Sequence, residues 1–97
     1  VGIDLGDIIV SKFTLLPAYP NPFNPVTNIS FVVDKSSEVT FKIFDVNGKL
    51  VQVVDPKMYQ SGVHNIQWNA SSLSSGMYFI HMLNGADRHT QKVMLLK

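Results

Sequence analysis

The stretch VTFKIFDVNGKLVQVV, residues 39–54, carries the strongest local structural signal in the chain. Apolar and polar side chains alternate through its first half, and this period of two is typical of a half-buried strand. Asn47-Gly48 then interrupts the alternation, and a type I′ turn needs the positive φ angles that Asn and Gly tolerate best. The stretch therefore predicts a tight hairpin, and Asp55-Pro56 should end its second strand because proline cannot donate to a ladder.

Strand patterns on both sides of this hairpin are separated by Gly, Pro, Ser and Asn at regular intervals. No helical period is long enough to compete with them. Short, evenly spaced strands of this kind indicate an all-β fold, a seven-stranded antiparallel β-sandwich or barrel. The seven predicted strands are at about residues 12–16, 27–33, 38–46, 49–54, 63–69, 76–83 and 88–96.

A proline-rich segment, AYPNPFNP at residues 18–25, precedes the second predicted strand. Its prolines fix φ and keep the residues before them out of the helical region, so the segment should be extended and stiff. Because it lacks those backbone donors, it cannot join the interior of a sheet. We predict that Phe23 packs against the core as an anchor and aligns the strand that follows. An ordinary proline-rich surface loop is the alternative on composition alone.

Composition restricts the class of protein. The 97 residues make one domain, 45% of them are hydrophobic, and none is cysteine, so packing rather than disulfides must stabilise it. The net charge is +1 and the basic residues are dispersed, which argues against nucleic-acid binding. No apolar run approaches the ~20 residues of a membrane-spanning helix.

Catalytic and metal-binding patterns are missing from the sequence. The three histidines lack the close spacing of a metal motif, and the serines form no Gly-x-Ser-x-Gly elbow. Nucleophilic catalysis needs a hydroxyl or thiol beside an oriented base, and no such pattern is present. The sequence therefore predicts no enzyme activity, no cofactor and no metal site.

Five blocks in order give the chain a family resemblance: YPNPFNPVTNISFVV, VTFKIFDVNGKLV, SGVHNIQW, SSGMYFIHML and QKVMLLK. They resemble the C-terminal sorting domain of type IX secretion cargo, the Por secretion tail, which is related to the immunoglobulin-like domain of the flagellar hook-capping protein. The resemblance implies that residues 13–97 form a seven-stranded immunoglobulin-like sandwich. Residues 1–12 would be a linker or the tail of an upstream domain.

The resemblance also implies a role and a set of partners. Such a domain directs a larger cargo protein through the periplasm of a Gram-negative bacterium and across the outer membrane, to the cell surface or medium. Its expected partners are the type IX translocon or shuttle proteins and the N-terminal cargo domain of the same chain. A surface sortase-like peptidase that removes the domain is a further expected partner. The candidate sorting-motif residues are Pro20, Asn21, Pro22, Gly76, Tyr78, Lys92, Val93, Met94, Leu95, Leu96 and Lys97.

The last predicted strand suggests how a partner could bind. A C-terminal strand at a sheet edge would offer unpaired N–H and C=O groups, and strand addition is one docking mode available to it. The side chains of Val93 and Leu95 should meanwhile fill the core. Main-chain atoms rather than reactive side chains would then meet the partner.

Two other functions remain open at this stage. One is a carbohydrate-binding or spacer module of a secreted hydrolase, and the other is a structural assembly domain. Aromatic rings on the surface would favour sugar binding. Trp68 and Tyr78 alternate with polar neighbours and should be core residues, whereas Tyr19, Phe44 and Tyr59 are the candidates for exposure.

Overall fold

Two antiparallel sheets pack face to face in the computed structural model, which describes residues 3–5, 8–10, 13–85 and 87–97. The first sheet has three strands in the order β3-β4-β7, and the second has four in the order β6-β5-β8-β9. These seven strands confirm the predicted immunoglobulin-like β-sandwich. Two further short strands, β1 and β2, pair with each other and were not predicted.

The strand boundaries lie within a few residues of those predicted, except at the end of β6. The strands are β1 (Ile3–Leu5), β2 (Ile8–Val10), β3 (Thr14–Leu15), β4 (Val26–Val33), β5 (Ser37–Asp45), β6 (Leu50–Tyr59), β7 (Gly62–Asn69), β8 (Gly76–Asn84) and β9 (Asp87–Leu95). Residues 1, 2, 6, 7, 11 and 12 lie outside the described part of the chain. The division between a linker and the domain at residue 13 therefore stays a prediction.

The core lies between the sheets because alternate residues of each strand point inward. Phe31 of the first sheet and Phe41 of the second are fully buried, with ring centroids 5.0 Å apart and an interplanar angle of 65°. Ile43, Ile80 and Met82 are buried beside them. Each such side chain contributes about 1.5–3 kcal/mol by leaving water, so this layer is the main source of stability.

The predicted hairpin forms, but its turn is not type I′. The N–H of Gly48 donates to the carbonyl of Asp45 at 3.1 Å, and the N–H of Asp45 donates to the carbonyl of Lys49 at 3.0 Å. Gly48 has a φ of 82°, whereas Asn47 has a negative φ. The Asp45 carboxylate accepts the N–H of Asn47 at 2.9 Å. This Asx interaction and the positive-φ glycine favour a three-residue loop with a bulge over the two-residue turn.

Strand β6 continues through Asp55-Pro56 to Tyr59, so the prediction that it ends there was wrong. β6 is the outermost strand of its sheet, where a residue without an N–H is tolerated. The pairing also shifts between Val39 and Phe41, opposite this dipeptide. An extra residue in the edge strand accommodates the proline and lets pairing resume.

No helix of the length and hydrophobicity needed to cross a bilayer occurs among the residues that the structure describes. Within the same residues, no three His, Asp or Glu side chains come together as a possible metal site.

Candidate functional site

Three blocks of candidate residues, distant in sequence, meet at one end of the sandwich. Gly76 pairs with Leu95, and Tyr78 pairs with Val93, where β8 begins and β9 ends. Phe23 of the proline-rich segment forms a parallel bridge with Leu95 from the other side. The proline-rich segment, the start of β8 and the end of β9 therefore form one continuous site.

The proline-rich segment covers the outer edge of β9. The N–H of Phe23 donates to the carbonyl of Met94 at 2.9 Å, and the N–H of Leu96 donates to the carbonyl of Phe23 at 2.9 Å. The side-chain oxygen of Asn21 accepts the N–H of Met94 at 3.0 Å, as a neighbouring strand would. β9 is the outermost strand, as predicted, but the expected unpaired main-chain groups are occupied over residues 94–96.

Gln91 extends this cover toward the middle of β9. Its side-chain oxygen accepts the N–H of Ala18, and its side-chain nitrogen donates to the carbonyl of Leu16 at 2.6 Å. Gln91 was not among the predicted site residues. Its place in the QKVMLLK block was visible in the sequence, but a strand pattern does not reveal which polar side chain reaches a distant segment.

The side chains of the last strand divide into two groups. Val93 and Leu95 are fully buried, as predicted, and Tyr78 beside them is also buried, with its hydroxyl donating to the carbonyl of Ser74 at 2.6 Å. Met94 is half-buried, whereas the remaining candidates at the surface are Pro20, Asn21, Pro22, Lys92, Leu96 and Lys97. The exposed candidates and the half-buried Met94 can contact a partner without unfolding, whereas Val93, Leu95 and Tyr78 cannot.

Lys97 ties the end of the chain to the loop between β7 and β8. Its ammonium donates to the carbonyls of Ser71 and Leu73, both at 2.7 Å. Its N–H donates to the hydroxyl of Ser75 at 2.9 Å. Lys97 therefore links this loop to the segment that follows β9.

Three aromatic rings pack beneath the site. Phe23 is only 2% exposed, which confirms its predicted role as an anchor, and its ring lies 5.1 Å from that of Trp68. Trp68 in turn meets Tyr78 edge to face at 5.9 Å. The indole N–H of Trp68 is buried and has no hydrogen-bond partner among the described residues. Within the described part of the chain, the contacts of this side chain are therefore packing contacts.

Comparison with known proteins identifies the family. The family described as "Secretion system C-terminal sorting domain" matches residues 17–96, which include the proline-rich segment from Ala18, the start of β8 and all of β9. The chain belongs to this family of sorting domains. No curated protein matches the sorting domain in sequence.

The structure of the sorting domain is similar to a crystal structure of dimeric latent PorU from Porphyromonas gingivalis. The TM-score is 0.67 and the sequence identity is 16%, and the match covers 90% of this chain and 9% of that one. At this identity the likeness shows a shared fold. The chain spans less than a tenth of the length of that protein.

Asn21→Ala should lower the free energy of unfolding of the sorting domain by about 1 kcal/mol, because the N–H of Met94 loses its acceptor. We also expect the Met94 amide to exchange its hydrogen about fivefold faster. Urea unfolding and amide exchange measure the two effects. Asn24→Ala is the matched control, since Asn24 is exposed in the same segment; equal effects from both substitutions would contradict the proposed edge contact.

The aromatic residues expected at the surface behave differently from one another. Tyr19 is 78% exposed, as predicted, whereas Tyr59 is 9% exposed and packs edge to face against Phe31 at 5.0 Å. Tyr59 is buried because β6 runs past Pro56 and turns this ring inward. Burial also raises the pKa of the Tyr59 hydroxyl.

The histidines pack against rings. The ring nitrogen Nε2 of His64 lies 2.6 Å from the carbonyl oxygen of Gln60, within hydrogen-bond distance, and the His64 ring lies 5.0 Å from that of Tyr59. His81 lies on the outer face of the second sheet with its ring 4.7 Å from that of Phe44. Burial lowers the pKa of His81 by disfavouring its charged form, and the nearby positive charge of Arg88 makes a smaller contribution in the same direction.

Proposed function

We propose that the chain is a non-catalytic C-terminal sorting domain that directs export of a larger cargo protein across the outer membrane to the surface or medium. Membership of the sorting-domain family supports this role. The observation that carries the proposal is the convergence of the three motif blocks at one end of the sandwich, through the pairs Gly76–Leu95, Tyr78–Val93 and Phe23–Leu95.

The geometry favours recognition of a folded module over recognition of a linear tail. Residues 93 and 95 face the core, and residue 97 is bonded to the loop between β7 and β8. A partner that extracted this strand would have to expose the buried layer beneath it. In this proposal the cargo protein first passes through the periplasm. The type IX translocon or a shuttle protein then binds the folded surface of its sorting domain.

Residues 13–97 form the sorting module in this proposal, and residues 1–12 connect it to the cargo. A surface sortase-like peptidase could then act upstream of the module without entering the sandwich. The sequence contains no pattern of catalytic residues, and this supports a non-catalytic role.

The export proposal is tested by fusing this chain to the C-terminus of a periplasmic reporter in a host that has the type IX apparatus. We expect most of the reporter to reach the cell surface or the medium, because the folded site supplies the signal. Fractionation followed by immunoblotting measures its distribution. The same reporter without the chain, and the fusion in a host lacking the translocon, are the controls. A fusion retained in the periplasm beside an exported known sorting domain would refute the proposal.

A further inference from the structure

The outer face of the second sheet carries an apolar row that core packing does not explain. Phe44 of β5 pairs with Leu50 of β6 on one side and with Phe79 of β8 on the other. Met77 and Met94 form a neighbouring pair across β8 and β9. The solvent face of an antiparallel sheet is usually polar, so these side chains call for another explanation.

Part of this row borders a shallow cavity. Its volume is about 350 Å³, and it is lined by Phe44, Phe79 and His81 together with residues of the hairpin loop. All three of these side chains are half-buried. The concavity is therefore large enough to receive an apolar side chain from a partner.

Two lysines flank the aromatic cluster. Lys42 pairs with His81, and Lys92 pairs with Phe79, which places both lysines on the same face as the rings. Both are exposed, and neither has an ion-pair partner in the part of the chain that the structure describes. The nearby Asp45 carboxylate accepts N–H groups of its own turn. The face thus combines an apolar centre with positive flanks.

This face is continuous with the candidate site. Lys92 and Met94 belong to the last strand and direct their side chains outward, whereas Val93 and Leu95 are buried. The main-chain edge beside Met94 is occupied by Asn21 and Phe23. A partner that binds the folded end of β9 therefore contacts this face rather than the main-chain edge of β9.

We infer that the outer-sheet patch, comprising Lys42, Phe44, Phe79, His81, Lys92 and Met94, is the docking surface for an acidic protein partner. An apolar side chain of the partner fills the space between the two Phe rings, and its carboxylates face Lys42 and Lys92. The inference rests on the proposed export function, because it assigns this partner to the export apparatus. Buried aromatic anchors surrounded by charged rims are typical of such interfaces.

Export of the reporter fusion tests the patch. Phe79→Ser and Lys92→Glu should each reduce the exported fraction about tenfold, the change expected from losing one central contact. Val63→Ser and Lys35→Glu are the matched controls, since both residues are exposed outside the patch, and these variants should be exported like the wild type. Thermal unfolding of Lys92→Glu and of the two control variants, which change exposed side chains, should give the wild-type midpoint within a few degrees.

Folding effects are separated by one further variant, Lys42→Glu, considered together with Lys92→Glu. Phe79 is half-buried, so Lys42→Glu and Lys92→Glu, which change only exposed side chains, must show the same loss. Wild-type export of all patch variants would overturn the docking surface while leaving the export function intact. Failure of the wild-type fusion itself would instead overturn the proposed function, and this inference with it.

Photo-crosslinking in the exporting host identifies the class of molecule that contacts the patch. Benzoylphenylalanine is introduced at position 79 or, as a control, at position 63. We expect a protein adduct at position 79 alone, lost in the Lys42→Glu background and at high salt. Mass spectrometry identifies the crosslinked protein and the acidic segment that it contributes. An adduct with glycan, with lipid or with a second copy of this chain would overturn the inference.

Discussion

Trp68→Ala should lower the free energy of unfolding by about 3–5 kcal/mol, as large aromatic deletions from protein cores do. Trp68 is only 5% exposed and lies between Phe23 and Tyr78. Its removal leaves a cavity beneath the site and frees the ring that anchors the proline-rich segment. Small domains have about 5–15 kcal/mol in total, so the substitution removes a large part of the stability.

Urea unfolding followed by circular dichroism measures this loss. Tyr19→Ala is the matched control, because the Tyr19 side chain is 78% exposed and its loss should change the free energy by less than about 0.5 kcal/mol. Trp68→Phe should be less costly than Trp68→Ala, since it keeps a ring and removes the unpaired indole N–H. Equal unfolding midpoints for Trp68→Ala and the wild type would place Trp68 at the surface and revive the sugar-binding alternative.

Removal of residues 92–97 should leave the chain unfolded at 25 °C. The deletion takes away the buried side chains of Val93 and Leu95, and each loss of such a side chain costs about 2–5 kcal/mol in a well-packed core. It also removes the strand partners of Gly76 and Tyr78. Loss of the cooperative thermal transition and of the β-sheet circular-dichroism signal measures the outcome.

Lys97→Ala serves as the control for this deletion. It removes only the two hydrogen bonds to the loop carbonyls at the surface, so we expect a loss of about 1 kcal/mol and a folded chain. A truncated chain that still melts cooperatively near the wild-type temperature would show that the last strand is dispensable for the fold. The recognition of a folded site would then have to be abandoned.

The truncation has a bearing on how export defects are interpreted. A deletion that abolishes export would suggest that the last residues are themselves the recognised signal. Here those residues complete the core, so the same deletion would abolish export by destroying the folded surface. Lys42→Glu, which changes an exposed side chain outside the last strand, separates the two explanations.

Much of the fold could be predicted because short local sequence patterns indicate the strands. Alternation in residues 39–54 and a glycine at the turn were sufficient to place the hairpin between β5 and β6. The turn type could not be obtained in this way. It depends on the Asp45 carboxylate accepting the N–H of Asn47, and several Asp-containing loops fit the same letters.

The extension of β6 was missed for a different reason. Pro56 ends a strand in the interior of a sheet but is tolerated at an edge, and edge position depends on topology that local patterns do not contain. The burial of Tyr59 follows from this extension. One unknown, the strand order, therefore accounts for both errors.

The members of the candidate site were taken from the family blocks and stay a prediction, and their arrangement could not be obtained from the sequence. The family blocks include Asn21 and Met94. Nothing in the sequence indicates that the side-chain oxygen of Asn21 accepts the main-chain N–H of Met94. Such contacts join segments that are far apart in the chain, and they are determined by the three-dimensional packing of Phe23. For the same reason Gln91 could not be recognised as a contact residue.

The bridge between Phe23 and Leu95 connects the beginning of the sandwich to its end. Contacts so distant along the chain give a high contact order, and loop-closure entropy then delays folding to a scale on the order of milliseconds to seconds. During that interval the rows of Ile, Val and Phe stay unshielded and prone to aggregation. We therefore expect the risk of aggregation to fall only once Phe23 and Leu95 have met.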